Sequence, residues 1–208
     1  MRIEDFYKAM KITFATTNNV KFDIARIVLT PYGIALNQKK METHELQALD
    51  VKAVALDKAH QLRRRISGPF LVDDSGFYIR SLHGFPGALL KLTYAAIGDV
   101  GLLRLCKGRN PEATFVNTLA FSMPESKQIR IFSTVIDGTL SKSAKGSRKV
   151  GWAIERIFIP SGHAKTIAQM DNTEWLSFWN SFSKASHYAQ LGKWLVRNKG
   201  NSVHSHQS

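Results

Sequence analysis

The apolar run Phe70-Leu71-Val72 ends in Asp73-Asp74-Ser75-Gly76, which sets two adjacent carboxylates, a hydroxyl and a glycine in a row. Neighbouring acids repel each other unless a cation or a basic group lies between them. In an open α/β sheet the carboxyl end of a buried strand is also where ligands bind. Asp-Ser-Gly is equally ordinary turn chemistry, and an Asp can simply cap a following segment. Taken alone, the run supports both readings. A second turn, Gly84-Phe85-Pro86-Gly87, follows with Lys91 beyond it, and Gly76 and Gly84 are both expected to permit tight turns.

Three further groups carry chemistry. Thr16-Thr17-Asn18-Asn19-Val20-Lys21 stands where a strand should pass into a helix. Free N–H groups there attract phosphate and Lys21 can reach the same anion, although Asn and Thr are also common caps. Glu45, in His44-Glu45-Leu46-Gln47, is a lone acid just before a helix, either a dipole-complementing carboxylate or a ligand. Between Lys142 and Lys149 basic side chains alternate with Ser and Gly, as in a phosphate-facing loop.

The elements that must position these groups are legible from periodicity. Lys11 to Thr16 reads as a strand and Val20 to Leu29 as a helix whose buried face is Phe22, Ile24, Ala25, Ile27 and Val28. A strand near Ile34 to Leu36 precedes a helix from Ala48 to Arg65, in which Val51, Val54, Ala55, Ala59 and Leu62 recur at helical spacing. Phe70 to Val72 is the central strand. Leu89 to Ile97 and Val100 to Cys106 read as two short helices, and Ala113 to Met123 with Gln128 to Leu140 as an antiparallel pair. A strand near Ala153 to Ile159 stops at Pro160, and a helix from Ser186 to Arg197 turns Leu191, Trp194 and Leu195 inward. The order implies a single α/β domain with a long twisted mixed sheet flanked by helices. Residues 1–10 are expected as an N-terminal extension, 11–197 as the domain and 198–208 as a disordered polar tail.

A chain of 208 residues, 44% hydrophobic, can bury a full core. It has no apolar run of eighteen residues and no secretory h-region at its start, so neither a membrane span nor export is expected. The lone Cys106 reads as a small buried hydrophobe and suits a reducing cytoplasm. The net charge of +13 can attract nucleic acid or a polyanionic small molecule. Lys142, Lys145, Arg148, Lys149, Arg156 and Lys165 concentrate it, with only Glu155 among them, whereas Arg63-Arg64-Arg65 suits a solvated helix end.

In this order the groups resemble the inosine triphosphate pyrophosphatase family, the Ham1-like nucleoside triphosphate pyrophosphatases, over about Lys11 to Leu195. Thr17-Asn18 with Lys21 is similar to its phosphate loop, and Asp73-Asp74-Ser75-Gly76 with Pro86-Gly87 and Lys91 to its signature. Lys145-Gly146, Gly151-Trp152 and Thr166-Ile167-Ala168-Gln169-Met170 are similar to its nucleotide-binding segment, and Ser186-His187 to its closing Ser-His-Arg. The resemblance implies that fold with a central cleft, and release of pyrophosphate from deaminated purine triphosphates such as those of inosine and xanthosine. It also implies Mg²⁺ and a homodimer; a nucleic acid is not the expected partner. Glu45 and Asp74 are the implied metal ligands, and Asp74 also orients or deprotonates water, with Lys21 and Lys91 neutralising phosphate charge. Thr17, Asn18, Ser75, Gly76, Trp152, Lys184, Ser186 and His187 are the implied substrate contacts. Trp152 offers a flat face for a purine; as a bare residue it is equally a buried aromatic.

The departures concern base recognition. Aligned on Gly151-Trp152, the family's following acid falls on Ala153; aligned back from Phe158, it falls on Glu155. Tyr188 stands for the closing Arg, which removes a fork of donors. Phe182 replaces a family Lys, with Lys184 the nearest substitute, and Gln169 replaces a Glu. An altered base preference is therefore expected. The alternative is a nucleotide- or nucleic-acid-binding protein on the same fold with weakened catalysis.

Overall fold

Period-two and helical apolar patterns build a sheet and the helices that cover it. A computed structural model describes residues 10–124, 126, 128–148 and 151–204. Its elements run β1 (Met10–Ala15), α1 (Asn19–Leu29), β2 (Ile34–Lys39), α2 (Val51–Arg63), β3 (Phe70–Ile79), β4 (Pro86–Gly87), α3 (Leu90–Leu105), β5 (Glu112–Ser122), β6 (Ile129–Leu140), β7 (Phe158–Pro160), α4 (Asn172–Ala185) and α5 (His187–His204). Of the expected N-terminal extension, residues 1–9 lie outside the described residues, and Met10 already opens β1. Lys149 and residues 205–208 of the expected tail also lie outside them.

Seven strands form one mixed sheet in the order β2-β1-β3-β5-β6-β7, with β4 bonded to β3. β1 runs parallel to β2 along its whole length but meets β3 only at Thr13–Phe70 and Phe14–Leu71. On its other side β3 is antiparallel to β5 from Phe70 to Ile79. The edge of β3 that faces β1 is therefore uncovered after Leu71, until β4 pairs with Phe77 and Tyr78. Asp73 to Gly76 occupy that gap.

Strand alternation sorts the core into clusters. Leu71, Leu119 and Phe121 pack with Ile12, Phe14, α1 and α5. Phe77, Ile79 and Phe115 pack with Leu102, Ile157 and Phe158. Phe70, Val72 and Ala120 face the other way, onto Ala55, Ala59 and Leu62 of α2. Each large apolar side chain so buried contributes about 1.5–3 kcal/mol, set against the entropy of ordering the chain.

Several expectations are corrected. The central strand does not stop at Val72; β3 passes straight through Asp73-Asp74-Ser75-Gly76, and a turn appears only after Ile79. Gly76 is needed for a close approach instead: a Cβ there would meet the Tyr78 ring at 2.8 Å and the Gly87 backbone at 3.2 Å. The strand expected over Ala153 to Ile159 shrinks to Phe158–Pro160, because residues 153–157 form turns whose amides bond within the loop. α4 was not anticipated, although Asp171 and Glu174 form a capping box before Trp175, Phe178 and Phe182. α5 continues past Arg197 to His204, so Asn198 is helical rather than the start of a tail. The two helices expected before Cys106 correspond to α3, which is broken at Gly98 (φ 59°, ψ −165°).

Candidate active site

β1 ends while β3 continues, and the step between them opens a cleft of about 610 Å³. Thr17, Asn18 and Lys21 line it from the start of α1, Glu45 from the loop before α2, and Lys91 from α3. Asp73, Asp74 and Ser75 form its floor, and Trp152, Phe182 and His187 its far wall. Three expected contacts are not among the lining residues: Gly76, Ser186 and Lys184. Ser186 is fully buried and donates its hydroxyl to Ser183 C=O at 2.8 Å, closing α4. Lys184 is exposed on α4, and its carbonyl accepts from Lys193 Nζ.

At the mouth of α1 the Asn18 side chain accepts from Lys21 N–H at 3.1 Å, and Phe22 N–H begins the intrahelical bonds with Asn18 C=O. The N–H groups of Asn19 and Val20 precede that first bond, where the helix dipole favours an anion.

Adjacent strand residues point to opposite faces, so the two acids part company. Asp73 faces α1 and α5. It pairs with the Lys21 ammonium, lies 3.0 Å from His187 Nε2 and accepts from the Tyr188 hydroxyl. Burial pushes the Asp73 carboxyl upward, but the Lys21 charge and the His187 hydrogen bond outweigh it and hold it well below the usual carboxylate range. Burial, then Asp73, pushes the Tyr188 phenol well above its ordinary value. Thr134 fixes the imidazole: its hydroxyl accepts from His187 N–H at 2.6 Å and lies 3.0 Å from Nδ1. With the Thr134 hydroxyl donating to Nδ1, the ring proton sits on Nε2 and is donated to Asp73.

Asp74 faces α2, and its partner is Lys58, which sequence reasoning missed. Lys58 Nζ lies 2.7 Å from Asp74 Oδ2 and 3.3 Å from Glu45 Oε1. Burial lowers the Lys58 ammonium, and Asp74, then Glu45, more than offset it, so its net shift is upward. The available signal was Lys58 among apolar residues of the helix ahead of the acids. That helix face was read only for its packing.

Glu45 and Asp74 thus both reach the Lys58 ammonium, which stands between their carboxylates. Two hard oxygen donors facing an open cleft fit a divalent cation whose remaining ligands are phosphates and water. Among the described residues no three His, Cys, Asp or Glu side chains gather as a metal-holding group, so the protein by itself offers part of a shell.

On the far wall the two residues on which the family's acid can fall are placed differently. Glu155 is fully buried, accepts from Trp152 N–H at 2.8 Å and is not a lining residue, whereas Ala153 is. Trp152 packs against Phe115 and Phe182, with ring centroids 5.5 and 5.6 Å apart. Phe182, standing where a lysine was expected, makes this wall apolar. Arg148 lies over the Tyr94 ring, 4.9 Å from its centroid, at the rim. Of the basic stretch singled out in the sequence, Arg148 is the residue that lines the cleft among those described.

No helix among the described residues is long and apolar enough to cross a membrane. Residues 12–179 match a model of the Ham1 family. The dITP/XTP pyrophosphatase of Thermococcus kodakarensis is 36% identical over 166 residues, covering 79% of this chain and 88% of that protein. The dITP/XTP pyrophosphatase of Pyrococcus horikoshii is 34% identical over 161 residues, 77% and 85% of the two chains. In fold, the chain superimposes on a HAM1 protein from Coxiella burnetii with a TM-score of 0.71 at 21% identity, covering 92% and 99% of the two chains. With the acid-bearing strand, the start of α1 and the cleft between them, this chain belongs to the Ham1 family.

Proposed function

We propose that the protein is a nucleoside triphosphate pyrophosphatase, hydrolysing non-standard purine triphosphates such as those of inosine and xanthosine to a monophosphate and pyrophosphate. The carrying observation is the placement of Asp74, Lys58 and Glu45 opposite the α1 N-terminus across one cleft. Relatives named dITP/XTP pyrophosphatase support the substrate class and speak for the enzyme rather than for a weakened binding protein.

The chain's groups divide the work. The Asn19 and Val20 N–H groups, with Thr17 and Asn18, receive the phosphates, and Lys21 and Lys91 neutralise their charge. Asp74 orients a water and takes its proton as the oxygen bonds to the α-phosphorus and the bond to the β-phosphate oxygen breaks. Pyrophosphate leaves with that electron pair. Lys58 holds the Asp74 carboxylate in place, and His187 and Tyr188 hold Asp73, which in turn positions Lys21. Trp152 and Phe182 provide an apolar surface for the base. Glu45 and Asp74 would hold Mg²⁺, which when bound screens the charge between triphosphate and carboxylates.

A homodimer is part of the same reading, supported by Leu92, Ile97, Val100 and Leu105, which are exposed along α3. A cytoplasmic location is proposed from the lone buried Cys106 thiol. The test is pyrophosphate release over a panel of standard and deaminated triphosphates, with and without Mg²⁺. Metal-dependent release favouring inosine and xanthosine triphosphates is the expected result; no release from any of them would refute the assignment.

A further inference from the structure

The closing Ser186-His187-Tyr188 segment is occupied by the protein itself. Ser186 bonds Ser183 and Ala189, His187 bonds Thr134 and Asp73, and Tyr188 bonds Asp73. The polar atoms expected to read a base edge are therefore already engaged, and recognition has to come from elsewhere in the cleft.

Asn117 sits in the middle of β5, opposite Ser75 on β3 and Thr134 on β6. It is 6% exposed and lines the cleft. Its Oδ1 accepts from the Ser75 hydroxyl at 2.8 Å, while its Nδ2 is buried without a partner. Side-chain polar atoms left alone in this way among the described residues belong to Ser81, Asp99, Asn117 and Arg156, and of these residues Asn117 alone lines the cleft. Buried donors are normally satisfied, and one left free in a binding cleft asks for an acceptor from a ligand.

The surroundings narrow which acceptor. Phe115, two residues earlier on the same face of β5, packs against Trp152 at 5.5 Å between centroids. Asn117 thus shares its strand face with Phe115, on which the apolar wall of Trp152 and Phe182 packs, and lines the same cleft. A flat ring laid on that wall presents its polar edge to the amide. A 6-oxo purine offers a carbonyl acceptor there, whereas adenine offers an amino donor that opposes it.

We propose that Asn117 determines base preference, its Nδ2 donating to the 6-oxo group of a deaminated purine. Where the phosphates lie rests on the pyrophosphatase reading above. The amide selects for the oxo group and replaces the missing guanidinium of the closing motif.

The test uses Asn117→Ala and Asn117→Thr, the latter keeping a hydroxyl for Ser75 and a β-branched residue suited to a strand. Binding of inosine monophosphate and adenosine monophosphate is measured by calorimetry, and kcat/KM for the two triphosphates by pyrophosphate release. The unsubstituted protein should prefer the inosine nucleotide, and both variants should reduce the preference about tenfold or more, mainly through weaker inosine binding. An unchanged preference in both variants, or no preference in the unsubstituted protein, would overturn the proposal. If the preference exists and collapses on substitution while no triphosphate is hydrolysed, the role of Asn117 stands and the pyrophosphatase reading fails.

Discussion

Lys58 Nζ lies 2.7 Å from Asp74 Oδ2, on the face of β3 opposite to the one from which Asp73 meets Lys21. Two acids adjacent in sequence therefore have different partners, although both line the same cleft. Each carries its own lysine, delivered by a different helix, and the repulsion inherent in Asp73-Asp74 is removed by geometry.

Asp74→Asn should abolish most turnover, with a loss of about 10²–10⁴-fold in kcat, the range of a general base. The amide keeps the shape of the side chain, so the melting temperature should stay within a few degrees. Retained pyrophosphate release in this variant would remove Asp74 from the chemistry.

Lys58→Met keeps the apolar stem on α2 and removes the ammonium between Asp74 and Glu45. Turnover should fall by roughly 10²-fold, because the carboxylate loses its anchor. The same variant should bind Mn²⁺ more tightly in the absence of nucleotide, since the competing cation is gone. Calorimetric titration showing weaker or equal metal binding would argue against a shared cation position at Glu45 and Asp74.

The Asp73 carboxyl titrates lower in the folded protein than its unfolded value of about 3.9. The folded state then binds fewer protons across that window. The stabilisation is complete above about pH 4 and drains away as pH falls through the lower, folded value. Urea unfolding of Asp73→Asn between about pH 3 and pH 7 should show a flatter acid limb than the unsubstituted protein. Equal slopes would mean that the Lys21, His187 and Tyr188 partnership contributes nothing to acid stability.

Gly146 has φ +81°, and a Cβ there would collide with the Ala168 carbonyl and sit 2.7 Å from Gln169 N. Both are backbone atoms that cannot rotate aside. Gly146→Ala should cost on the order of 2–3 kcal/mol of stability, read from denaturant unfolding. The loss should spread to the Trp152 wall, because Lys145 N–H bonds Arg156 C=O and Thr166 Oγ1 bonds Lys145 C=O on either side of the same loop.

Local pattern was enough to reveal β1, α1, α2 and the β5–β6 pair, because period-two and helical spacing are written in the chain itself. It also singled out Lys21, Glu45, Asp74 and Trp152 as chemistry-bearing, since charge and flat apolar surface are residue properties. Their resemblance to the Ham1 family named the fold. What the sequence did not disclose was whether β3 stops or continues. That depends on β5 supplying a hydrogen-bonded neighbour to Asp73, Asp74, Ser75 and Gly76, and β5 begins more than thirty residues later, at Glu112. Lys58 beside Asp74, Tyr188 folded onto Asp73 and the free amide of Asn117 share this origin. Each is a contact between segments remote in the chain, settled by strand register and helix packing rather than by any local preference.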